Sequence, residues 1–196
     1  MGKRLLDLFV AVPALVGLSP VLMVVAAAVR WKHGSPVLFR QLRAGQDADA
    51  ILVPKFRSMT DERDQNGQLL ADGQRLTPFG AKLRSTSLDE LPQLWAVIKG
   101  DMSLVGPRPL PTVYVDRYNA EQRRRLEAKP GMTGWAQVNG RNDTTWAVRL
   151  AHDVWYVDNA SLWVDLEILA RTLRMIVRRR GVTAPDHVTM REFIGD

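Results

Sequence analysis

The chain has 196 residues, no cysteine, a net charge of +6 and a pI near 10.1. No disulfide, thiolate nucleophile or cysteine-ligated zinc can form, and His33, His152 and His187 are spaced too widely for a helical zinc site. P-loop, dinucleotide-binding and nucleophile-elbow motifs are absent, and the positive balance favours an anionic partner: nucleic acid, anionic lipid or a phosphorylated substrate.

From Leu8 to Val29 no residue is charged, and a straight helix of that length reaches about 30 Å, enough to cross a bilayer. Ser19 and Pro20 interrupt it near the middle, where the proline lacks an N–H and clashes with the carbonyl of Val16; Pro13 repeats the disturbance. Lys3 and Arg4 stand before the run and Arg30 and Lys32 after it, a charge pattern best satisfied with both ends on the cytoplasmic side. The expectation is a re-entrant membrane helix over residues 1–33, kinked at Ser19-Pro20. A kinked crossing helix fits the same pattern, and a cleaved leader ending at Ala26-Ala27-Ala28 ranks below both because the run is long for one. This segment decides for membrane lipid, and against nucleic acid, as the anionic partner.

Gly34-Ser35-Pro36 ends the run, leaving residues 34–196 as one cytoplasmic domain. Val37–Arg43 and Ile51–Arg57 flank a Gly45–Asp49 turn and read as a hairpin, with Pro54 making the second strand an edge or irregular there. Alternation places Lys55 and Arg57 on one face, which is either solvated or phosphate-binding. Thr60–Gln74 is polar, with Asn66-Gly67 and Asp72-Gly73, and reads as a mobile loop. Phe79–Arg84 reads as a short helix bearing Lys82 and Arg84.

Ser87 and Glu90 have capping-box spacing, and Leu88, Leu91, Leu94, Trp95 and Ile98 follow at helical spacing. Asp89 and Glu90 are therefore either ordinary helix-start acids or a carboxylate pair that needs Mg²⁺ to attract a phosphate. Pro107 and Pro109 fix the backbone around Arg108, as a rigid turn or a phosphate contact. Thr112–Ala128 reads as one amphipathic helix, and Lys129–Asn142 as a glycine-rich loop in which Arg141 is a candidate diphosphate clamp. Trp146–Tyr156 and Leu162–Arg180 are the last helices. The second carries Leu162, Leu166, Leu169, Leu173, Ile176 and Val177 on one side, the pattern of an interfacial helix or of a core helix with a basic end. Six tryptophans suit the headgroup level, and an apolar belt also suits homo-oligomers. The fold class is α/β: a mostly helical, membrane-associated single domain with a small β-hairpin, a re-entrant N-terminal helix and amphipathic interfacial helices.

Five stretches in order, Lys3–Asp7, Lys55–Met59, Ser87–Gln93, Gly106–Pro109 and Lys129–Val138, resemble the bacterial sugar transferases known as monotopic phosphoglycosyl transferases, and the likeness covers almost the whole chain. The resemblance implies transfer of a sugar 1-phosphate from a UDP-sugar to a polyprenyl phosphate at the cytoplasmic face of the bacterial inner membrane. It makes Asp89 the nucleophile through a covalent aspartyl phosphosugar and Glu90 an Mg²⁺ ligand beside it. Lys55, Arg57, Arg84, Pro107, Arg108, Pro109 and Arg141 become substrate contacts. Direct transfer within a ternary complex and a noncatalytic membrane adaptor are the rival readings.

Overall fold

In the computed structural model, which describes residues 2–140, 145–178 and 192–195, helices α1 (Gly2–Gly17) and α2 (Ser19–His33) meet at a 60° bend. The cause is local. Pro20 cannot donate to the Val16 carbonyl, and the Ser19 hydroxyl donates to it instead at 2.7 Å. Pro13 is accommodated inside α1. Among the described residues no single helix is long and apolar enough to cross a membrane, although the bent pair together meets that length and composition. Phe9, Val16, Met23, Val24 and Trp31 are exposed along it.

The inner face of the pair is bound to the body. Lys3 donates to the Tyr156 hydroxyl at 2.9 Å and to Asp165 at 2.7 Å. Arg4 donates to the Val97 and Ile98 carbonyls, both at 2.6 Å, where the negative end of the next core helix favours a cation. Asp7 is buried and accepts from the Ser103 hydroxyl and the Leu104 N–H. Charges that look from the sequence like topology signals are thus paired inside the fold.

Strands β1 (Leu38–Ala44) and β2 (Ala50–Phe56) form an antiparallel ribbon in the register Leu38↔Phe56 through Ala44↔Ala50. Pro54 is tolerated because each strand of a two-stranded ribbon is an edge. The segment read as a mobile loop, Thr60–Gln74, is held to itself. Arg63 bridges Leu69, Asp64 accepts the N–H groups of Asn66 and Gln68, and α3 (Asp72–Arg75) closes it through Arg75. Helix α4 (Pro78–Ser85) follows, capped by the Thr77 hydroxyl on the Gly80 N–H at 3.0 Å.

Two local expectations fail. Ser87 adopts a left-handed conformation with φ 55° and caps nothing; Leu88–Glu90 is a single 3-10 turn, and α5 (Gln93–Lys99) starts only after Pro92. The Glu90 side chain that would complete a capping box is engaged by two distant cations. Thr112–Ala128 is not one helix but a 3-10 turn at Thr112–Arg117, α6 (Ala120–Arg123) and a second turn at Arg124–Glu127. Asn119 and Gln122 form a reciprocal capping box that restarts the chain there.

Strand β3 (Ser103–Val105) runs parallel to β4 (Gly131–Thr133). Gly106 and Gly131 permit this approach, since a Cβ on Gly131 would lie 2.1 Å from the Gly106 nitrogen. Helices α7 (Trp135–Asn139), α8 (Trp146–Asn159) and α9 (Leu162–Arg178) complete the described fold. Val97, Met102, Val105, Tyr156 and Ile168 form the main core, joined by Ala11 of α1. On α9, Ile168 and Asp165 face inward, while Leu162, Leu166, Leu173, Ile176 and Val177 are exposed. The expected end of this helix at Arg180 lies outside the described residues.

Candidate active site

Glu90 is the hub. One of its oxygens, Oε1, accepts from Lys55 Nζ on β2 and from Arg108 Nη2 in the loop after β3, each at 2.7 Å. Although burial opposes ionisation, Arg108 and Lys55 outweigh it and hold the Glu90 carboxyl well below the usual carboxylate range. Asp89 differs. It is 7% exposed, and among the described residues its carboxylate accepts no hydrogen bond. Burial, then the charge of Glu90, pushes it from 3.8 up to about 6, against the pull of Lys55, Arg84 and Arg108. The two adjacent acids are therefore unequal: one is neutralised, the other buried and uncommitted. At neutral pH Asp89 is mostly an anion with an incomplete shell, which suits a nucleophile or a cation ligand.

The other expected residues divide. The Arg84 side chain donates to the Ser58 hydroxyl at 2.9 Å and acts on Asp89 through its charge. Arg57 lies just past β2 and its N–H still donates to the Val37 carbonyl at 3.0 Å, but its side chain is not among the partners of Glu90. Arg57 instead donates to the Ser35 carbonyl at 3.2 Å and to Asp61 at 3.0 Å, and its Nε has no partner among the described residues. Pro107 and Pro109 flank Arg108 as expected, and the Pro107 carbonyl accepts from the Gly131 N–H at 3.0 Å. Arg141 lies outside the described residues.

Arg43 and Arg149 were not among the expected site residues. Arg43 bonds Gln41, and burial and then the charge of Arg108 lower its pKa; the same two causes lower that of Arg149. A signal for Arg43 existed: the β1–β2 register puts Gln41 opposite Val53 and Arg43 opposite Ile51, on the ribbon face that carries Lys55. For Arg149 the signal was its place one helical turn before the buried Asp153.

The described residues hold no group of three or more acids and histidines suited to a metal ion. Two adjacent carboxylates, one without partners, fit Mg²⁺, which takes one or two carboxylates and completes its octahedron with water and substrate phosphate.

A surplus of cations around a divided carboxylate pair suits phosphorylated ligands. The sequence pattern defining the bacterial sugar transferases matches residues 1–179, and the chain belongs to that family of phosphoglycosyl transferases. It is 50% identical over 193 residues to the uncharacterized sugar transferase EpsL of Bacillus subtilis (strain 168), covering 98% of this chain and 96% of that one. It is 41% identical over 181 residues to the UDP-glucose:undecaprenyl-phosphate glucose-1-phosphate transferase of Klebsiella pneumoniae, covering 87% of this chain and 39% of the relative. With the undecaprenyl-phosphate galactose phosphotransferase of Salmonella typhimurium (strain LT2) it shares 38% identity over 196 residues, covering 91% of this chain and 41% of that enzyme. The chain thus spans about two fifths of the length of the last two relatives.

Proposed function

We propose that this chain transfers a sugar 1-phosphate from a UDP-sugar to a polyprenyl phosphate such as undecaprenyl phosphate, at the cytoplasmic face of the bacterial inner membrane. The observation that carries the reading is the Asp89 carboxylate, on a residue only 7% exposed and free of protein hydrogen bonds among the described residues, beside a Glu90 whose Oε1 takes both Lys55 and Arg108. An Asp89 oxygen attacks the β-phosphorus, the bond to the bridging oxygen breaks, and UMP departs with that oxygen. A polyprenyl phosphate oxygen then attacks the same phosphorus and Asp89 leaves as a carboxylate. Lys55, Arg84 and Arg108 stabilise the charge on the phosphoryl oxygens as it develops. Bound at Asp89 and Glu90, Mg²⁺ would supply further neutralisation of the diphosphate.

The acceptor phosphate stays at the headgroup plane, so the site must sit there too. The exposed apolar face of the bent α1–α2 pair, the outward row on α9, and exposed Trp31 and Trp163 support seating residues 1–33 and the outer face of α9 in one leaflet, with the rest of residues 34–196 in the cytoplasm. A re-entrant path keeps both ends of the pair on the side where UDP-sugars are found.

The test uses purified enzyme in lipid with Mg²⁺, acceptor and donors labelled in the β-phosphate. Label should accumulate on the wild-type protein when acceptor is withheld and be absent from Asp89→Asn. Release of UMP without labelled protein would favour direct ternary-complex transfer. No UMP release from any UDP-sugar would reject the reaction.

A further inference from the structure

Arg125 stands behind the site and touches neither acid. It is 2% exposed, carried by the turn Arg124–Glu127, and each of its guanidinium nitrogens has a partner. Nε and Nη2 donate to Asp153 Oδ2 of α8 at 2.9 and 2.7 Å, and Nη1 donates to the Tyr118 hydroxyl at 3.3 Å. Nη2 also donates to the main-chain carbonyl of Arg108 at 2.6 Å. A buried ion pair is rarely more stabilising than an apolar pair of the same volume, so stability alone is a weak reason for this arrangement.

The bond to Arg108 supplies a stronger one. Pro107 and Pro109 have no N–H, so their loop is held through its carbonyls. Pro107 accepts from the Gly131 N–H at 3.0 Å, Leu110 from the Ala44 N–H at 2.9 Å, and Arg108 from Arg125. Two of these holds are main chain to main chain. The third comes from a side chain, made rigid by one carboxylate, at the residue whose guanidinium reaches Glu90.

We propose that Arg125, aligned by Asp153, is a positioning residue that fixes the Arg108 backbone so that its guanidinium meets Glu90 and the transferring phosphoryl group. This rests on the transfer reaction proposed above. Arg125 itself contacts no substrate. It acts by removing the freedom of a loop in which a displacement of about 1 Å can lower turnover about 100-fold.

The experiment uses the full chain in lipid nanodiscs. The paired substitution Arg125→Met with Asp153→Leu removes both charges together and keeps apolar volume, so the core survives while the hold on Arg108 is lost. Turnover by UMP release should fall about 100-fold, with the donor KM near wild type and the circular dichroism spectrum that of a folded protein. Hydrogen exchange in peptides spanning residues 104–112 should accelerate while α5 and α9 are unchanged, a readout that needs no turnover. A folded paired variant with wild-type turnover, or with unchanged exchange over that loop, overturns the proposal. Should the pair fail to fold, Arg125→Lys decides. One ammonium cannot span Asp153 and the Arg108 carbonyl in the fork geometry, so kcat should drop without a matching rise in KM, and full kcat would overturn the proposal. A wild-type enzyme without UMP release defeats the reaction, while the exchange measurement still reports whether Arg125 holds the loop.

Discussion

Replacing Asp89 with asparagine should abolish transfer and make the protein more stable, by an amount that depends on pH. In the fold the carboxyl is raised from 3.8 to about 6, a shift of about two units, and each unit corresponds to 1.36 kcal/mol. Between these values the native state binds more protons than the unfolded chain, so stability falls as pH rises through that window and the loss is complete above it. The wild type therefore carries a penalty of about 3 kcal/mol at pH 8, about half of that at pH 5, and little below the unfolded value. Asp89→Asn lacks the penalty. Unfolding of both proteins in EDTA-containing nanodiscs, with no metal to mask the effect, should show the variant higher by roughly 6–12 °C at pH 8 and by much less near pH 4. A midpoint difference that is constant with pH, or a variant less stable than the wild type at pH 8, would refute a carboxyl raised by burial at this position.

Arg108→Met removes one of the two cations on Glu90 and should lower kcat/KM for the donor about 100- to 1000-fold, measured by UMP release. Asp7→Ala leaves the Ser103 hydroxyl and the Leu104 N–H without their buried acceptor and should destabilise the fold by about 2–4 kcal/mol in thermal unfolding, with vesicle binding unchanged. Leu173→Glu, on the outward row of α9, should weaken partitioning into anionic vesicles by about 2 kcal/mol in a sedimentation assay and leave the circular dichroism spectrum unaltered.

Features set by short-range rules were legible in the sequence. The bend follows from Ser19-Pro20, the ribbon from alternation about Gly45, and the short helix read over Phe79–Arg84 lies inside α4. What failed depended on partners far along the chain. Ser87 and Glu90 match a capping box in spacing, but the carboxylate is taken by Lys55, 35 positions away, and Arg108, 18 positions away. The stretch Thr112–Ala128 has helical amphipathicity, yet Arg125 is drawn to Asp153, 28 positions on, and Asn119 caps a new start. Arg57 was grouped with Lys55 by alternation, whereas its guanidinium is held by the Ser35 carbonyl and Asp61 rather than by Glu90. The cationic surround of the site was accordingly incomplete when read along the chain. Lys55, Arg84 and Arg108 stand out by their neighbours in sequence, whereas Arg43 and Arg149 are recognisable only once strand register and helix face are known.

The first turn of α1 gives the enzyme's attachment an unusual standing. Lys3, Arg4 and Asp7 close off α5, β3 and α9 from one side, so the same helix whose outer face is apolar and exposed also finishes the protein's interior. Cutting the chain at residue 33 would leave the last α5 carbonyls without Arg4, the backbone of β3 without an acceptor and Asp165 without its cation. A water-soluble catalytic fragment is therefore not to be had by trimming; solubility has to be engineered on the outer faces of α1, α2 and α9, with the first turn left intact.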